Sequence, residues 1–136
     1  MIAVRTVLAL LIFVSSVALA ESADVVPPLA EGQVWSIKSL SPSTAKVVIA
    51  RIEPWKDMTV VHICIIDFPV SDTAATKITS IAHMPFEKAA LVASLDKLLA
   101  TRAAPVPDFE RGYNIWKEKR GGIFTISVAR AIHLQD

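Results

Sequence analysis

The ten residues Thr59–Phe68, TVVHICIIDF, are apolar almost without interruption. A run this short and this rich in Val and Ile reads as a strand, and a strand with so little polar alternation has to be covered on much of both faces. Any fold for this chain must therefore place that strand centrally and supply cover for it. The same run carries His62 and the only cysteine, Cys64.

The neighbours of this run supply the sheet. Gln33–Leu40 alternates, with Trp35 and Ile37 on one side, as a half-buried strand does. Ala45–Glu53 is rich in β-branched residues and pairs with it as a hairpin through Ser41-Pro42-Ser43. Pro54-Trp55-Lys56-Asp57 breaks the pattern, and Pro69 ends the apolar run because proline cannot donate to a ladder. Lys77–His83 reads as a fourth strand, stopped by Pro85.

The cover comes from the stretch Ile81–Val128. Leu91, Val92, Leu95, Leu98 and Leu99 recur at helical spacing, which predicts a helix over Glu87–Ala100. Asp108 is a natural N-cap for a second helix, Phe109–Lys119, with an aromatic stripe of Phe109, Tyr113 and Trp116. Gly112 lies inside that helix, where glycine costs about 1 kcal/mol against alanine; a close backbone approach to the sheet would account for it. Gly121-Gly122 is a helix stop, Ile123–Val128 reads as a last strand, and Ala129–Leu134 as a short terminal helix that Ser127 can cap. Strands in a block followed by helices point to an α+β fold: a mainly antiparallel sheet of about five strands with two helices packed on one face.

The first twenty residues stand outside this scheme. Met1–Arg5 carries one positive charge, Thr6–Ala20 is apolar, and Ala18 and Ala20 make an Ala-x-Ala cleavage site, the pattern of an export signal with Glu21 as the first mature residue. The apolar stretch is short for a bilayer span of roughly 20 residues. The expected organisation is a signal peptide at 1–20, a flexible leader at 21–31 and a single domain at 32–136, in the periplasm or outside the cell.

Charge and cysteine content narrow the function. The chain has 14 Lys+Arg against 13 Asp+Glu, and the signal removes only Arg5, so the mature protein is formally neutral. That argues against nucleic acid, which needs a basic field to release counterions. A lone cysteine excludes an intramolecular disulfide, and in an apolar run Cys64 reads as a small hydrophobe.

No catalytic constellation is legible. His62 shares its strand face with Val60, Cys64, Ile66 and Phe68 and reads as a structural histidine; His83, at a strand-to-loop junction, reads first as holding the loop by a ring N–H bond, with ligand contact or catalysis as the alternative. A His62/Cys64/His83 metal site has no supporting local spacing. Ser94 lies mid-helix, away from any nucleophile elbow, and phosphate loops of the glycine-rich type are absent. No cofactor is implied. Among the aromatics, Trp55 in its turn is the best exposed contact residue. The candidate binding residues are His83, Phe86, Tyr113 and Trp55, a rim with no catalytic or metal-ligating role assigned.

Taken together, Gly32-x-x-Trp35, the strand bearing His62, His83-x-Pro85-Phe86, Gly112-Tyr113-x-x-Trp116 and Gly122-Ile123-Phe124-Thr125-Ile126-Ser127-Val128 resemble a family of small bacterial proteins of uncharacterised function. The resemblance spans nearly the whole mature region and implies no activity. Export, and Arg130 where that family often has glutamate, are departures from it, so cytosolic partners do not carry over. The expectation is a small exported binding or interaction protein without catalysis, with a periplasmic protein partner or a small ligand. The alternatives are an immunity or inhibitor protein, and a small hydrolase using His83.

Overall fold

The computed structural model describes residues 27–40, 44–72 and 75–133. The expected signal peptide, most of the expected leader and the expected turn at Ser41-Pro42-Ser43 lie outside the described residues. The elements are β1 (Val34–Ile37), β2 (Lys46–Trp55), β3 (Met58–Asp72), β4 (Ala75–Glu87), α1 (Lys88–Ser94), β5 (Leu95–Ala100), α2 (Phe109–Lys119) and α3 (Val128–His133). They form one open antiparallel sheet in the order β4-β3-β2-β1-β5, with three helices: a single α+β domain.

The apolar run is central, as its composition demands. Val61, Ile63 and Ile65 face one core with Trp35, Ile37, Val47 and Ile49, and His62 and Cys64 face the other. Fully burying side chains of this size stabilises by about 1.5–3 kcal/mol each. The covering helices divide differently from the expectation. Two helices do share a face, but they are α1 and α3, through Leu91, Val128, Ala131 and Ile132. Helix α2 lies on the opposite face, where Phe109, Tyr113 and Trp116 pack on Val34, Val48 and Cys64. A strand that is apolar on both sides needs both.

Three local expectations are corrected. The helix predicted over Glu87–Ala100 stops at Ser94, and Leu95–Ala100 becomes the fifth strand. Local propensity favours helix there, but β1 needs a second neighbour. Strand β5 pairs with it, Lys38 N–H bonds to the Ser94 carbonyl (2.9 Å), and Lys97 N–H bonds to Ser36 Oγ (2.9 Å). Leu95 still reaches the core that Leu91 fills. Second, Ile123–Val128 is not a strand. Only Phe124 bridges to Phe86, in parallel, before Ser127 Oγ accepts the Arg130 N–H and opens α3.

Third, neither Pro69 nor Pro85 ends a strand. Beyond Ile66, β3 has no β2 residue opposite it, and β4 is an edge, so each proline sits where no further strand pairs on one side. The Pro85 carbonyl points outward to Phe124 N–H (2.9 Å), and its missing donor lies on that same outer side.

Residues 27–31, the end of the expected leader, dock on the domain. Leu29 packs against the core and Glu31 Oε1 accepts the Ile52 N–H. Among the described residues no helix is long and apolar enough to cross a membrane.

Candidate functional site

Two β-bulges bracket His62. In β2 the register shifts between Ile49 and Arg51, and in β4 between Met84 and Ile81, opposite Cys64. An extra residue reverses the side on which everything beyond it points. Without the first bulge, the alternation Val47, Ile49, Arg51, Glu53 would drive a cation and a carboxylate into the apolar core under α1. With it, Arg51 stands opposite His62, and Glu53 joins it on the α2 face. The second bulge keeps both Met84 and Ile81 against the α1 core while His83 turns toward α2.

The result is a chain of polar groups beneath α2. Glu53 Oε1 lies 2.7 Å from His62 Nε2, and His62 Nδ1 lies 2.9 Å from His83 Nε2. The Tyr113 hydroxyl donates to Glu53, 3.0 Å from each carboxylate oxygen. A carboxylate only accepts, so His62 Nε2 carries the proton toward Glu53. In the neutral ring Nδ1 is then an acceptor, and His83 Nε2–H donates to it. Donation runs in one direction, His83 to His62 to Glu53.

Burial pushes the His62 pKa below its usual range, with Arg51 adding to the fall and Glu53 opposing it. Burial, then the charge His62 would carry, lowers His83 to about 4. Both rings are neutral at pH 7, so the short His62–Glu53 contact is a hydrogen bond to a carboxylate and not an ion pair. Burial also raises the Cys64 thiol, whose Sγ donates to the Ala82 carbonyl (3.2 Å).

Aromatic rings close the cluster. Trp116 and Tyr113 meet the His62 ring edge-on at 4.7 and 4.9 Å, and Trp116 Nε1 is anchored on the Gly122 carbonyl (3.0 Å). The Arg51 guanidinium lies 4.1 Å from the Tyr113 ring centre and bonds Glu110 at 2.7 Å, tying β2 to α2 from outside. Gly112 makes the approach possible: a Cβ there would stand 2.8 Å from His83 Cβ. A Cβ on Gly121 would stand 2.5 Å from Trp116, so glycine sits at that position and Arg120 takes the left-handed end of the helix, φ 48°.

The four candidate residues separate. His83 and Tyr113 meet in this cluster, with ring centres 6.1 Å apart. Trp55 borders it through Trp116, at 4.7 Å, and is half-buried. Phe86 does not belong with them: it is fully buried on the opposite face, against Phe124, because it alternates with Pro85 along β4. Glu53 and Arg51 went unnoticed in the sequence. The signal was their place on the apolar side of an alternating strand, a conflict that a bulge resolves.

The rings do not form a metal site. His62 and His83 hold a proton between their facing nitrogens, and the Cys64 thiol points to a carbonyl. Among the described residues no group of three or more His, Cys, Asp or Glu is placed to hold an ion. Ser94 is buried, donating to Ala90 O (2.9 Å) and accepting the Val128 N–H (3.0 Å), with no base beside it.

No protein family, curated protein or solved structure matches this chain. Of the positions that carry the resemblance, His62, His83, Tyr113 and Trp116 meet beneath α2, whereas Trp35, Phe86 and Phe124 lie in the core on the opposite face.

Proposed function

We propose that this protein is a small exported binding protein with no chemistry of its own, acting on a partner or ligand in the periplasm or outside the cell. One observation carries the reading: the inner part of its polar cluster is covered. His62 is fully buried, Tyr113 and Trp116 are 5% and 7% exposed, and both ring nitrogens of His62 and the Tyr113 hydroxyl are engaged within the cluster, with His83 half-buried at its edge. A catalytic base needs a path to substrate and a proton to abstract within hydrogen-bond reach. This arrangement instead fixes α2 on the sheet and leaves the surface around Trp55 to make contacts. Export rests on the n-region, apolar run and Ala-x-Ala site of the first twenty residues. An immunity or inhibitor protein is one form of the same reading.

The rival reading, a small hydrolase, draws on one feature: His83 is only partly buried and is backed by His62 and Glu53 in the order of a base and its orienting groups. A panel of ester, amide and phosphoester substrates, tested on the mature protein and on His83→Gln, separates the two. No turnover that depends on His83 is expected; turnover that His83→Gln abolishes would replace the binding reading with the hydrolase. Mass measurement of the exported chain is expected to find Glu21 at its N-terminus, and retention of residues 1–20 would refute cleavage.

A further inference from the structure

An open groove of about 570 Å³ runs between the β2–β3 turn and the end of α2, lined by Trp55, Lys56, Met58, Arg120, Gly121, Gly122 and Ile123. Its size falls within the roughly 300–1,000 Å³ of small-ligand sites. Its walls are apolar: Trp55 is braced on Trp116, Met58 is 39% exposed, and Ile123 is half-buried. A braced aromatic ring is already ordered, so binding need not pay the entropy of fixing it.

The charges at this groove all have one sign. Lys56 and Arg120 line it without any acidic residue, and among the described residues neither is ion-paired. The neighbouring groove over α1 differs, with Asp57 and Glu87 beside Lys88. Both cations also hold left-handed backbone, φ 53° at Lys56 and 48° at Arg120, positions where a turn or helix end normally takes glycine or asparagine. Long basic side chains at two such places, on two separate elements, converge on one apolar groove. Gly122, with open space where a Cβ would lie, lets a ligand approach the backbone between them.

We propose that this groove binds a small amphipathic anion, a carboxylate carried on a flat apolar body, with Trp55 and Met58 against the body and Lys56 and Arg120 at the charge. The proposal rests on the reading of the chain as a binding protein and names its ligand class. The probes are naphthalene-1-acetate and its neutral amide, titrated into the full mature chain by calorimetry. The carboxylate should bind, the amide at least about tenfold more weakly, a difference of about 1.4 kcal/mol. In the double variant Lys56→Asn, Arg120→Asn the carboxylate should lose that advantage. Asparagine tolerates left-handed backbone, so the variant keeps the turn and helix end while removing both charges. Unchanged thermal unfolding verifies that it folds; Lys56→Gly, Arg120→Gly serves if it does not. Equal binding of acid and amide, or equal binding by wild type and variant, overturns the proposal. So does no binding at all. In that case a polypeptide partner whose binding Trp55→Ala abolishes would leave the binding-protein reading standing with another occupant, whereas His83-dependent turnover would remove that reading as well.

Discussion

Acid should loosen this protein well before its carboxylates are fully protonated, because two neutral histidines, one fully buried and one half-buried, lie under α2. In the folded chain His83 has its pKa lowered from 6.5 to about 4, and His62 is lowered too. Once unfolded, both rings return to the ordinary range. Between those values the unfolded chain binds more protons than the folded one, so stability is fully present above about pH 6.5 and falls as pH falls toward 4. For His83 alone, the linkage relation with 6.5 unfolded and about 4 folded gives a loss of about 2 kcal/mol between about pH 7.5 and about pH 5. That is a sizeable part of a domain stability of roughly 5–15 kcal/mol. The assay is urea unfolding across that pH range, followed by tryptophan emission, with the slope m compared at each pH. His83→Gln should flatten the dependence, since its amide N–H can still donate to His62 Nδ1 but cannot titrate. A wild-type stability that stays level over this range, or a His83→Gln variant with the same loss, would refute the neutral, buried histidine pair.

Two further substitutions probe the packing. Gly112→Ala would ordinarily gain about 1 kcal/mol in a helix; here the new Cβ meets His83 at 2.8 Å, so a net loss of about 1–3 kcal/mol is expected in the urea midpoint, and any gain would falsify the tight seating of α2. Ser94→Ala should cost about 1–3 kcal/mol by leaving the buried Val128 N–H without its acceptor, although alanine is the better helix former; an unchanged midpoint would mean that Ser94 does not hold α3 to the end of α1.

Much of the site was legible in residue types and little of it in position. His83, Tyr113 and Trp55 were recognisable as a polar group at a strand end, an aromatic on a helix stripe and an aromatic in a turn. Their relation to Glu53 and Arg51 was not, because a bulge adds a residue without leaving a composition signal of its own. Phe86 followed the opposite course: three residues from a histidine at an expected strand end it looked like rim, yet at that edge of the sheet the strand simply continues through Pro85 and turns it inward.

What the sequence determined by itself was whatever depends on local period and composition. The apolar run Thr59–Phe68 required a central strand with cover on both faces, the alternating segments around it required a sheet, and the Phe109–Tyr113–Trp116 stripe required a helix buried along one side. Gly112 announced a close approach before its neighbour was known. Only tertiary structure decided which helix covers which face, that Leu95–Ala100 leaves the helix to pair with β1, and that Phe124 makes a single bridge in place of a strand. The reason is the same in each case: unpaired backbone on β1 and an uncovered face of β3 are costs that arise only when distant segments meet, and they outweigh propensities of a few tenths of a kcal/mol per residue, here by roughly 1–3 kcal/mol for each buried group that would otherwise go unpaired.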